Sequence, residues 1–158
     1  MDTVIYRALT KDLGRECFGY YGKIEGKHCI ILDDAEIKPI DPDRGLCDGI
    51  YGFVEVQPHT VAQYTGRLDK NKKPIFGSIE IDGVRNKGGD RLRYNYHIDY
   101  PDCDFFGDVV WDIRVLEPND EEAMHVGFVL YAEEKNGEVW YSCIPDLKDV
   151  EVIGRQYD

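Results

Sequence analysis

The chain has too little positive charge to bind nucleic acid in the ordinary way. Nineteen Lys and Arg stand against 31 Asp and Glu, for a net charge of −12. A phosphate backbone repels such a surface, because affinity for it rests on cationic neutralisation and counterion release. Direct nucleic-acid binding is therefore not expected, and neither is attachment to an anionic membrane. No apolar run approaches the roughly 18 residues of a spanning helix, and the opening "MDTVIYRALTKDLG" lacks the apolar stretch of a signal peptide. The five cysteines (Cys17, Cys29, Cys47, Cys103, Cys143) include no C-x-x-C pair. An odd number of reduced thiols fits a cytoplasmic location.

Metal and catalytic signatures are also missing. His28, His59, His97 and His125 are scattered, whereas a zinc site needs clustered ligands with at least one short spacing. "LDDAEIKPIDPDRG" is acidic but lacks the alternating register and terminal glutamate of a calcium loop. Ser78 and Ser142 lie in no G-x-S-x-G setting. Glycine spacing in "GSIEIDG" does not make a phosphate loop. Cys103 lies between Asp102 and Asp104, and Cys17 follows Glu16; neighbouring carboxylates raise a thiol pKa and suppress its reactivity. Cys143, alternating with Tyr141, reads as a small core residue. No catalytic residue, cofactor or metal ligand is assigned, and the chain is not expected to be an enzyme.

What the sequence has in quantity is two-residue alternation. "TVIYRAL", "CFGYYGKI", "HCIILDD" and "IYGFVEVQP" read as strands, with "EIKPIDPDRGLCDG" as a long loop before the last of them. "PHTVAQYTG" offers a short helical turn or a strand end. "IFGSIEIDGV" reads as a strand alternating Ile79 and Ile81 with Glu80 and Asp82. In "RLRYNYHIDY", Leu92, Tyr94, Tyr96 and Ile98 share one face. "PDCDFFGD" reads as a loop or bulge. In "VVWDIRVLE", Val109, Trp111, Ile113 and Val115 are expected to face the core. "MHVGFVLYAEE", "EVWYSCI" and "VEVIGRQY" complete the set, the first two joined by Asn136-Gly137, a strong hairpin signal. "IPDLKDV" has room for one helical turn. About nine short strands without a long helical period predict a mainly β, antiparallel barrel or sandwich with at most one or two short helices. The domain reading is 1–83 for the N-terminal hairpins and 84–158 for the C-terminal strands, within one compact unit.

Tyr94, Tyr96, Tyr100, Phe105 and Phe106 form an aromatic cluster. Cross-strand packing explains it first, and a contact surface second. Many short strands also leave edges able to pair with another copy. The acidity has two explanations: a soluble surface, or a decoy that imitates nucleic acid and occupies a basic host protein. A hydrolase with an acidic site is a third reading, although abundant carboxylates are not in themselves a signal.

One stretch carries a resemblance. "VAQYTGRLDKNKKPIF", Val61 to Phe76, resembles the hallmark segment of the YopX family, small proteins encoded by bacteriophages and prophages. The family phrase is V-G-Q-Y-T-G-L-x-D-K-N-G-x-x-I-F/Y. Gln63, Tyr64, Thr65 and Gly66 match it, as do Asp69, Lys70, Asn71, Ile75 and Phe76. "IYRAL", "FGYYGKIEGKHCIIL", "VEVQPHTVAQYTG" and the final "VEVIGRQYD" resemble the family's other landmarks in the same order. Lys72 departs from it where Gly is usual, and Gly77-Ser78-Ile79-Glu80-Ile81 replaces E-G-D-I-V. Residues 84–125 have no counterpart in the family pattern. The resemblance implies an SH3-type β-barrel and an oligomer of phage or prophage origin, and it brings no catalytic residues. In this reading Thr65-Gly66 ends one element, Asp69-Lys70-Asn71 makes a turn, and Ile75-Phe76 opens a strand. Arg67, Lys70, Lys72 and Lys73 make that turn basic. It is expected to be architectural first, and a docking point for another subunit or an anionic host or phage partner second.

Overall fold

The chain is mainly β, as its alternation requires. A computed structural model describes residues 5–41, 46–94, 105–115, 124–133, 136–142 and 150–158. Among these residues the only helical element is a 3-10 turn at Pro58–Thr60. Strands β1 (Tyr6–Leu9), β2 (Glu16–Ile24), β3 (Lys27–Asp41) and β4 (Leu46–Glu55) pair antiparallel in succession. β5 (Ala62–Leu68) and β6 (Pro74–Ser78) form the next hairpin, and β5 also pairs with β1. β7 (Glu80–Ile81) and β8 (Val84–Arg85) make a separate two-stranded flap. Then come β9 (Asp90–Tyr94), β10 (Phe105–Val115), β11 (Met124–Glu133), β12 (Val139–Ser142) and β13 (Val150–Arg155). The main sheet runs β12-β11-β10-β6-β5-β1-β2-β3-β4, with β9 bridging β10 and β13, and it curls into a half-barrel.

Two apolar clusters lie along this sheet. Ala8, Ile30, Val56 and Val61 centre the first, with Tyr6, Tyr21 and Ile81 packed around them. Ile75, Leu92, Tyr94, Val109, Leu130, Val150 and Val152 form the second, with Phe128 against it. Each draws on strands distant in sequence, so non-local pairing holds the fold together.

Four readings of the sequence need correction. "EIKPIDPDRGLCDG" is mostly strand, since β3 runs to Asp41 and β4 starts at Leu46. Pro39 suggested a loop, but the β3–β4 ladder absorbs it by shifting register on both sides of it, the usual accommodation for a strand proline. "IFGSIEIDGV" is not one strand but parts of β6, β7 and β8. Asp82 (φ 53°) and Gly83 (φ 79°) form a two-residue turn there, and positive φ at both positions is what a type I′ hairpin demands. "FFGD" is strand from Phe105 onward. Finally, Val109 is buried but Trp111, two residues along, is 40% exposed, while Val110 is buried. β10 meets β9 at Phe105–Asp108 and β6 at Val110, and its pairing to β11 alone continues beyond. Trp111 therefore lies past the two strands that flank Val109 and Val110.

"PHTVAQYTG" holds both alternatives read in it, the 3-10 turn and the start of β5. Asn136-Gly137 lies between β11 and β12, with Gly137 at φ 84°. "IPDLKDV", Tyr96, His97, Tyr100, Cys103 and Cys143 lie outside the described residues.

Candidate functional site

The residues singled out in the sequence come together in the β5–β6 hairpin. Gln63 sits opposite Tyr6 on β1 and Gly77 on β6. Tyr64 sits opposite Phe76, with ring centroids 5.7 Å apart. Thr65 does not end the strand. Its hydroxyl donates to the Ile75 carbonyl at 2.8 Å and accepts the Arg67 N–H at 3.2 Å. Gly66, at φ 83°, carries a bulge in which the β5–β6 register slips between Tyr64 and Leu68. Only glycine takes that backbone without strain.

Asp69 organises the turn that follows. It is buried, and Oδ1 accepts the N–H groups of Asn71 and Lys73 at 2.8 Å each. Oδ2 accepts the Val152 N–H at 3.0 Å, tying the turn to β13. The Lys70 N–H donates to the Val150 carbonyl at 2.9 Å, and its ammonium lies 3.1 Å from Glu151. Asn71 enters through its backbone. Lys72 holds φ 64°, a left-handed conformation that costs a side chain about 1 kcal/mol. Lys72→Gly is expected to raise stability by about 0.5–1 kcal/mol in urea denaturation.

Beneath the hairpin lies a charged node that sequence reading missed. Arg7 on β1 is 1% exposed and Asp90 at the start of β9 is 0% exposed. Asp90 Oδ1 accepts from Arg7 Nη2 and from Arg155 Nη1, both at 2.8 Å, and Oδ2 accepts the Phe76 N–H at 2.8 Å. Arg7 also donates to the Gly88 carbonyl at 2.9 Å, and its guanidinium lies 4.4 Å from the Phe76 ring centroid. Its Nε has no hydrogen-bond partner. Phe76, a residue of the family-like phrase, is thus both a node member and a ring partner of Tyr64. The available signal was an arginine between strand-forming apolar residues in "VIYRAL", which reads as a solvent-facing position until its distant partner is known.

The chemistry of the described side chains is quiet. Burial pushes the Cys17 thiol up, with Glu16 adding to it, and burial with Glu55 does the same at Cys29. Both therefore stay protonated and weakly nucleophilic. No three His, Cys, Asp or Glu side chains are grouped to hold a metal among the described residues. Tyr21 and His28 stack, with the hydroxyl 2.6 Å from Nδ1, and His28 Nε2 lies 3.7 Å from Asp82. Burial raises the Tyr21 pKa, so its phenol remains neutral at ordinary pH.

The surface is less ordinary. Phe18, Tyr20 and Phe53 are 49%, 43% and 38% exposed. The register places Tyr20 opposite Ile31, and Ile31 opposite Phe53. Phe18 is two residues from Tyr20 on the same strand, so the residues share one face. The aromatic cluster read from sequence divides: Tyr94 is buried, whereas Phe106 is exposed. Among the described residues, two stretches of ladder pair only with each other. Residues 36–41 of β3 pair with β4, beyond the β2 contact that ends at Ile31. Residues 112–115 of β10 pair with residues 124–127 of β11.

No helix among the described residues is long and apolar enough to cross a membrane. No protein-family model, no curated protein and no solved structure matches the chain.

Proposed function

We propose that the chain is a non-catalytic interaction module that works as an oligomer, of YopX-like phage or prophage type with an SH3-type barrel, acting in the host cytoplasm. The exposed row of Phe18, Tyr20 and Phe53 on β2–β4 carries this reading. Aromatic side chains suit protein contacts because the ring is buried while a tyrosine hydroxyl can stay wet. A second copy is a fitting occupant, because an apolar row can meet its own image across a two-fold axis without opposing like charges. The phage and family assignments rest on the phrase from Val61 to Phe76.

Light scattering on the purified protein at micromolar concentration tests the proposal. A mass of at least a dimer is expected. Tyr20→Ser combined with Phe53→Ser is expected to reduce it to the monomer while circular dichroism stays unchanged. A monomeric wild type would defeat the oligomer reading. If that monomer instead captured a basic host protein and released it at high salt, the acidic decoy would take its place. Replacing Arg67, Lys70, Lys72 and Lys73 by Ser separates the hairpin's two readings. Altered oligomer size at a nearly constant melting temperature assigns docking to that turn, and unchanged size leaves it architectural.

A further inference from the structure

A groove outside the proposed oligomer face has the size and lining of a small-ligand site. It encloses about 380 Å³ between the 3-10 turn, the β7–β8 flap and His28 of β3. Pro58, Ile81 and Val84 give it an apolar lining, and Val84 on the flap is exposed. Arg85, Lys87 and His59 line it as well. In a chain of net charge −12, that is a local reversal of sign. Its one acidic lining residue, Asp82, is already engaged by Lys23 at 2.7 Å and faces His28 at 3.7 Å. Neither His59 nor Lys87 has a side-chain partner among the described residues.

The backbone around the mouth is fixed. Asn86 donates to the carbonyls of Pro58 and Val61 at 3.1 and 2.6 Å. It accepts the N–H groups of Ile79 and Gly88, both at 3.2 Å. The Lys87 N–H donates to the His59 carbonyl at 3.1 Å, so the two side chains arise from hydrogen-bonded neighbours. A volume of this order suits a small molecule, and a few convergent polar groups over an apolar lining are what such sites provide.

We infer that this groove binds a small organic anion. Its flat apolar body would rest on Pro58, Ile81 and Val84, and its phosphate or carboxylate would face His59 and Lys87. The Lys87 ammonium supplies attraction and the His59 ring a hydrogen bond that orients the anion, and an apolar lining distinguishes the ligand from a bare inorganic ion.

The test is titration of the full chain at low ionic strength with 2-naphthyl phosphate, 2-naphthoate, inorganic phosphate and 2-naphthol, followed by calorimetry and amide NMR shifts. Saturable binding of at least one naphthyl anion is expected, with shifts centred on residues 81–87 and His59. Inorganic phosphate and 2-naphthol should each bind at least about tenfold more weakly, since each lacks half of the contact. The order of the two naphthyl anions assigns phosphate or carboxylate. His59→Gln with Lys87→Gln should weaken binding about tenfold, the usual scale for charge-assisted hydrogen bonds, and Val84→Asp should abolish it. All three changes are at exposed side chains, so the melting temperature should hold. The inference is overturned if neither naphthyl anion shifts these amides. It is overturned equally if the double variant binds as the wild type does, or if inorganic phosphate binds as tightly as the naphthyl anions.

Discussion

Asp90→Ala is expected to lower stability by about 3–5 kcal/mol, the usual cost of removing one member of a buried ion pair. The carboxylate serves two guanidinium groups and one backbone N–H, and it has no contact with solvent. Its loss leaves the Arg7 charge with one hydrogen bond, to the Gly88 carbonyl, and the Phe76 ring face. Arg155 retains a longer contact with Glu16, at 3.4 Å, and is partly exposed, so it can turn toward water. Arg7 cannot. Arg7→Met should cost less, by about 2 kcal/mol, because Asp90 would keep Arg155 and the Phe76 N–H, and methionine fills the space beside the Phe76 ring. Urea denaturation of both variants gives the comparison. Equal losses would mean that the pair, and not the stranded charge, sets the energy.

Asp69→Ala is expected to cost about 2–3 kcal/mol. It removes the acceptor for three backbone N–H groups at once, those of Asn71, Lys73 and Val152. The first two lie at an exposed turn and can be re-solvated, whereas Val152 is in the second apolar cluster. Asp69→Asn separates these roles. Its carbonyl can still accept from the turn, but its amide would point a donor at the Val152 N–H. About half of the loss should therefore persist, and hydrogen exchange should quicken at Val152 before Asn71 and Lys73. Uniform quickening at all three would show that the turn and β13 are held by something other than this carboxylate.

The fold class was legible because two-residue alternation is a property of neighbours. Leu92 and Tyr94, or Val109 by its place in "VVW", are buried where the alternation puts them. The limits were legible only in part, because the extent of a core is set by which strands arrive from elsewhere. Trp111 continues Val109's pattern and yet stands exposed, since β9 and β6 do not extend to it. Pro39 misled for a related reason: it marks a loop by local preference, and a long ladder on either side outweighs that preference.

At the hairpin, Asp69 announced a turn through its own chemistry, because an aspartate accepts from N–H groups two to four residues on. Its third bond, to Val152, spans 83 positions and left no trace in the local sequence. The same holds for Arg7 and Asp90, 83 positions apart. Asp82-Gly83 differs, because the dipeptide is itself a turn signal, masked by the alternation of Ile79, Glu80, Ile81 and Asp82 that leads into it.

The reach of Asp90 has a consequence during synthesis. On the ribosome, Arg7 emerges 83 residues before Asp90, and Arg155 emerges 65 residues after it. Until then the first strand carries a cation destined for a dry interior, and the β5–β6 turn waits likewise for Val152. The nascent N-terminal hairpins therefore cannot settle early and independently. They must stay open, or be sheltered, until β13 has been made.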